Sequence, residues 1–192
     1  MSALHDDALA VLRAWRTGDE RQDQLRRAYV DHLDAHPDGT TRACQPDHLT
    51  TGALILSADH RQVLLTLHAK AGRWFHMGGH CEPQDKSLAA AALREATEES
   101  GVEGLALDAE PLHLDAHVVG FCGTHERVRH LDVRFLARAP EHAQPVVSDE
   151  SLDVRWWPVE SLPTDDADMR EMVDLALERV RPVRQASSSR AI

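Results

Sequence analysis

Glu95, Glu98 and Glu99 crowd a single turn of the run Arg94-Glu95-Ala96-Thr97-Glu98-Glu99. At about 100° per residue, a helix whose inward stripe is Leu88, Ala91 and Ala92 carries that stripe onto Glu95 and Glu99 one turn later. Ala90, Arg94 and Thr97 then point outward, and Glu98 lies beside the other two acids. Like charges at such spacings repel by a few tenths of a kcal/mol per pair even on an exposed helix, and by more when partly buried. An all-carboxylate set compensated by a cation selects a hard divalent ion, Mg²⁺ or Mn²⁺, over zinc. The alternative is a solvated acidic helix end, and the phase of the acids favours the metal. Arg94 is within one turn of Glu98 and can pair with it.

The elements that must carry these groups follow from pattern. Ser87 is an N-cap, Ala89 to Ala92 are strong helix formers, and Gly101 falls where a helix ends. This predicts a helix over 87–100. Strand-like runs precede it at Leu49–Ser57, Gln62–His68 and Arg73–Met77, and follow it at Leu112–Cys122, Leu131–Ala139 and Val154–Trp157. Apolar spacing predicts a final helix over 166–180 and an N-terminal helical hairpin within residues 1–40. Residues 41–181 then form the main domain. Residues 182–192 have no face to bury and read as a disordered tail.

Composition narrows the function. A chain of 192 residues with 42% hydrophobic and 28% charged side chains is a packed domain of ordinary size. No apolar run approaches the ~20 residues of a membrane span. The acidic N-terminus is unlike a secretory signal, so a cytoplasmic location is expected. A net charge of -11 argues against nucleic-acid polymers and anionic membranes as partners. Cys44, Cys81 and Cys122 are odd in number and lack C-x-x-C spacing, against a disulfide framework or a thiolate zinc site. The thirteen histidines are scattered.

Residues 79–102, GHCEPQDKSLAAAALREATEESGV, resemble the Nudix box of the Nudix hydrolases. Every fixed position of its core, Arg-Glu-apolar-x-Glu-Glu-x-Gly-apolar, is matched by Arg94 to Val102. Glu150 stands before Trp156 as a late glutamate stands before a tryptophan in related members. The resemblance covers about residues 45–180. It implies an α/β fold, a Nudix-type α/β/α sandwich with a mixed sheet, here extended by the N-terminal hairpin. It also implies hydrolysis of a diphosphate linkage in a nucleoside diphosphate derivative, with Mg²⁺ as cofactor and Mn²⁺ as a substitute. Glu95, Glu98, Glu99, Glu150 and the Gly79 carbonyl are the implied metal ligands. Glu98, Glu99 and Glu150 are the implied catalytic acids, with Glu98 or Glu150 as the general base. Arg94 and Gly101 are structural in the box. Three departures stand out: the segment between Gly79 and Arg94 is one residue longer than in the commonest box, Gln84 replaces the loop glycine, and the first box glutamate is represented by Asp85 if by any residue.

Other residues weigh less. Arg127, Arg129 and His80 are the candidate substrate contacts, the two arginines from a basic connector spanning residues 123–130. His80 and Cys81 are adjacent and point apart, so they do not share a metal. Cys122 reads as a small core residue. His113, His117 and His130 lie on strands and can face a cleft, and Trp74, Phe75, Trp156 and Trp157 stack on a base or fill the core. Two rival functions are a nucleotide-binding Nudix sensor and an enzyme like isopentenyl-diphosphate isomerase. Sensors typically lose box glutamates, and here all three are kept. The isomerase nucleophile precedes the Gly-His pair, where this chain has Gly78. The partner is a small nucleotide or diphosphate. The hairpin either caps the cleft, supports a homodimer or simply packs.

Overall fold

The structure, a computed structural model, describes residues 2–120, 122, 127–147 and 151–181. Glu150 and the tail over 182–192 lie outside the described residues. The chain runs α1 (Ala3–Ala14), α2 (Glu20–Ala35), β1 (Asp47–Leu56), β2 (Gln62–His68), β3 (Trp74–Phe75), β4 (Met77–His80), α3 (Leu88–Ser100), β5 (Ala106–Leu107), β6 (His113–Val119), β7 (Val128–Arg138), β8 (Ser151–Pro158) and α4 (Ala167–Val180). Each helix opens on a side-chain cap that accepts a backbone N–H: Ser2, Asp19, Ser87 and Asp166. These caps satisfy donors that have no partner within the helix.

One mixed sheet of eight strands organises the molecule. Its spine is β1 alongside β7, parallel from Asp47↔Arg129 to Leu56↔Arg138. The first half of β1 pairs with β4 and the second half with β2, while β7 pairs with β6 and then with β5. This change of partners halfway along both central strands curls the sheet. β8 and β3 complete it on either side of β2.

Alternation along β1 separates two faces. Leu49, Ala53 and Ile55 join Val133, Phe135, Ala137 and the apolar sides of α1, α2 and α3 in one core. Leu54, Leu56, Leu136, Val63 and Leu65 pack under Met169, Met172, Val173 and Ala176 of α4 in a second. The expected α/β sandwich with its helical hairpin is therefore present. The hairpin is fastened by polar contacts as well as by Leu4, Leu9, Leu12, Tyr29 and Leu33. The Gln22 side-chain amide donates to the Leu114 carbonyl at 2.9 Å and accepts from the Leu114 N–H at 2.7 Å. The Tyr29 hydroxyl donates to the Asp115 carbonyl at 2.6 Å.

Several boundaries differ from the pattern reading. Gly78 and Gly79 lie inside β4 rather than after a strand, because β1 holds their backbone in register with Gly52 and Thr51. The expected strand over 73–77 is split between β3 and β4. β8 begins at Ser151 rather than Val154, extended by its ladder with β2. β7 takes up Val128–His130, which composition had placed in a loop. The short β5 carried no readable pattern.

Candidate active site

The inward stripe of α3 is Leu88, Ala91, Ala92, Ala96 and Ser100. This corrects the extrapolation from sequence. Ala96 and Ser100 continue the buried face, and Glu95 and Glu99 flank it at half burial. Arg94, expected to point outward, is only 17% exposed at its side chain because it folds back over the loop before α3. The reason is its set of partners. Its Nε and Nη2 donate to the two oxygens of Asp85 at 3.1 and 2.9 Å, a bidentate pair. Nη2 also donates to the His80 carbonyl at 3.0 Å, and Nη1 donates to Glu95 at 2.8 Å and Glu98 at 3.0 Å. Asp85 thus supports the arginine, and the longer loop still delivers it.

The carboxylates differ in environment. Glu95 is 15% exposed, and burial, followed by Glu98, pushes its carboxyl above the usual range while Arg94 opposes. Burial also acts on Asp85, yet hydrogen bonds from Arg94 and the Glu82 N–H outweigh it and hold that carboxyl low. Glu98 is 61% exposed. Glu99 turns back and accepts the Gly78 N–H at 3.0 Å. Gly79 lies against the group: a Cβ there would lie 2.6 Å from Glu95 Oε2, so the carboxylate in its present position packs directly on the glycine. Gly101 ends α3 at φ 64°, and a Cβ there would meet Val146 at 2.7 Å.

These residues fit a hard divalent cation. The donors are oxygens alone, the nearest strand is pared to glycine beside Glu95, and one arginine stands among three glutamates and Asp85. Among the described residues, however, the three glutamates do not converge on one point as tightly as a second group does. That group is His48, His80, His130 and Cys122, whose ligand atoms all lie within 4.8 Å of one another.

The second group occupies the opposite face of β4. His80 therefore faces away from the glutamates, joined to them only through its carbonyl on Arg94. Cys122, read as a core residue, is buried but lies 3.4 Å from His80 Nε2. His130 belongs to this group and His117 borders it, with ring centroids 5.6 Å apart. Farther along the face, Arg134 donates to Asp132 and Asp115, each at 2.8 Å, and Thr50 donates to Asp132 at 3.1 Å. Burial works against the Asp132 charge, but His76 and Arg134 hold its carboxyl well below the ordinary value. His113 is separate from this group, next to Arg134 and Glu171.

Of the basic connector, Arg127 is exposed at φ 64° and Arg129 pairs with Asp47. Neither is brought to the glutamates by a described contact. Trp74 and Trp157 meet edge to face at 5.2 Å under Arg155, beside the α4 core. Trp156 lines a cavity of about 450 Å³ with Asp59, Gln62, Pro140 and Gln144, and none of the three glutamates borders it.

Comparison with known proteins matches this architecture. The family model described as NUDIX domain matches residues 46–176. No curated protein matches the sequence. Among solved structures, the E. coli dihydroneopterin triphosphate pyrophosphohydrolase is 19% identical with a TM-score of 0.55, over 70% of this chain and 97% of that one. A C. elegans Ap4A hydrolase in a binary complex is 19% identical with a TM-score of 0.53, over 66% and 93% of the two chains. The NUDIX domain of Shewanella oneidensis NrtR, complexed with ADP ribose, is 21% identical with a TM-score of 0.53, over 73% and 92%. At these identities the likeness is one of fold. With a family match spanning most of its length and a box whose arginine, anchored on Asp85, pairs with Glu95 and Glu98, the chain belongs to the Nudix family.

Proposed function

We propose that the protein is a metal-dependent pyrophosphohydrolase that cleaves a diphosphate linkage in a nucleoside diphosphate derivative. The observation that carries this reading is the braced carboxylate set of α3, with Arg94 tying Glu95 and Glu98 to Asp85 and to the backbone of β4. Glu95, Glu98 and Glu99 would hold Mg²⁺ or Mn²⁺, with the Gly79 carbonyl as a further ligand. When bound, such an ion neutralises phosphate oxygens and acidifies a coordinated water. This is what allows an acidic protein to take an anionic substrate.

The chain's own groups do the rest. The Gly78 N–H orients Glu99. Arg94 fixes Glu95 and also pairs with Glu98, the most exposed of the three, which stays on the solvent side where a water and a phosphate can approach. Glu98 and Glu150 are the candidate bases that take the proton from the attacking water. The relatives by fold act on or bind nucleotide-like phosphates, which supports a substrate of that class. The intact glutamate set favours an enzyme over a nucleotide sensor, and Gly78 in place of a nucleophilic cysteine disfavours an isomerase.

The test is a phosphate-release screen over nucleoside triphosphates, sugar nucleotides, dinucleotides and coenzymes, with and without Mg²⁺. Glu98→Gln, which changes a largely exposed side chain, is expected to keep the fold and lose turnover about a hundredfold or more. Equal release by both proteins would overturn the proposal.

A further inference from the structure

We propose that His48, His80, His130 and Cys122 form a second metal site, selective for a borderline ion such as Zn²⁺, on the face of β4 opposite the box glutamates.

Strand register assembles it. His48 and His130 are Cα partners across the parallel β1–β7 pair, and His80 is paired with Thr50, two residues farther along β1. All three side chains therefore rise from one face of the sheet. Cys122, just beyond the end of β6, closes the group.

The spacing of His48, His80 and Cys122 matches three corners of a tetrahedral ion, and a ring nitrogen of His130 lies within 4.8 Å of all three. With Zn–N of about 2.05 Å and Zn–S of about 2.3 Å, tetrahedral edges are about 3.3 Å between nitrogens and about 3.6 Å from nitrogen to sulfur. The two Nε2 atoms of His48 and His80 are 3.1 Å apart. Cys122 Sγ is 3.4 Å from His80 Nε2 and 3.8 Å from His48 Nε2. An ion needs shifts of only a few tenths of an ångström at these edges.

Two further observations point to a ligand. His48 Nδ1 lies 3.0 Å from the Cys44 carbonyl, which can only accept, so the proton is on Nδ1 and the Nε2 lone pair faces the group. The buried His130 Nε2 has no hydrogen-bond partner, an unsatisfied atom where a metal bond would satisfy it. Nitrogen and sulfur donors favour zinc or copper over magnesium, so the two faces of β4 would sort ions by hardness.

His80 carries a built-in competitor. The Arg42 guanidinium donates to its Nδ1 at 2.8 Å, which places the ring proton on Nε2, where it is shared with His48. Metal binding requires that proton to move to Nδ1 and the exposed Arg42 to swing away. Cys122 loses its thiol proton to solvent as the metal–sulfur bond forms. The occupied site would anchor His80, whose carbonyl and whose neighbour Gly79 face the glutamate side.

The experiment measures Zn²⁺ per chain by atomic absorption after desalting, with excess Mg²⁺ present to fill the carboxylate site. Co²⁺ spectra are recorded on the metal-stripped protein. One Zn²⁺ per chain is expected, with a thiolate-to-cobalt charge-transfer band that disappears in Cys122→Ser. His130→Ala should weaken Zn²⁺ binding about a hundredfold, Arg42→Ala should tighten it, and Glu98→Gln should leave it unchanged. Circular dichroism establishes that each variant is folded. Substoichiometric zinc in the parent protein, or full zinc retained by both His130→Ala and Cys122→Ser, would overturn the proposal. Neither result bears on the carboxylate site, which Glu98→Gln reports separately.

Discussion

Replacing Asp85 by asparagine removes the charge that balances Arg94 while preserving its shape. The Asp85 carboxylate is only 6% exposed and accepts both prongs of the guanidinium. Breaking a buried ion pair by removing one partner costs about 3–5 kcal/mol. Arg94 retains Glu95, Glu98 and the His80 carbonyl, and asparagine still accepts one hydrogen bond, so a loss of about 2–3 kcal/mol is expected. For a chain of this size that corresponds to a fall in Tm of about 6–9 °C at ~3 °C per kcal/mol. The pH dependence tests the cause. Because the folded carboxyl is held below its ordinary 3.8, its contribution is fully present above that pH and is lost as pH falls through the lower folded value. Thermal melts of parent and variant should differ by a constant amount from neutral pH to about pH 5 and converge in stronger acid. Asp85→Asn should also weaken Mg²⁺-dependent activity about tenfold, because Arg94 then orients Glu95 less firmly. An unchanged Tm, or a gap that widens in acid, would refute the reasoning.

Gly79→Ala places a Cβ 2.6 Å from Glu95 Oε2, where the flexible carboxylate can yield. Its expected signature is a small change in Tm with at least a roughly tenfold rise in the Mg²⁺ needed for half-maximal activity. Gly101→Ala forces a side chain to φ 64° and against Val146, so a stability loss of about 1–2 kcal/mol is expected by urea denaturation. Burial, aided by Arg134, lowers His113 to about 4 from the ordinary 6.5, with Asp168, Asp115 and Arg21 also acting on it and Glu171 facing it at 3.8 Å. The unfolded chain takes up this proton first, so stability falls by roughly 3 kcal/mol as pH drops from 6.5 to about 4. His113→Gln should flatten that limb of a plot of Tm against pH.

The box was readable because its chemistry is local. Ser87, the alanine run, Gly101 and the glutamates lie within one helix, where spacing translates directly into geometry. Extrapolating the phase across a full turn still misplaced the inward stripe by one residue, because the buried row runs Leu88, Ala92, Ala96, Ser100 at i, i+4 spacing and the glutamates follow Ala91 along its flank. The histidine and cysteine group was not readable. Its members stand at positions 48, 80, 122 and 130, and the histidines meet through the β1–β7 and β1–β4 registers, with Cys122 arriving from beyond the end of β6. Pattern locates strands but does not say which residue of one faces which residue of another. Cys81, adjacent to His80, turns into the main core. Cys122 reads as core from sequence because nothing near it in the chain shows that histidines surround it.

The paired contacts of Gln22 with Leu114 amount to a short counterfeit strand. One side-chain amide donates and accepts as a neighbouring backbone would, along the edge of β6 that α2 buries. Shorn of its first forty residues, the protein would offer that margin to other molecules, and self-association by strand addition would follow. The hairpin thus covers backbone groups of β6 that a further strand would otherwise pair with.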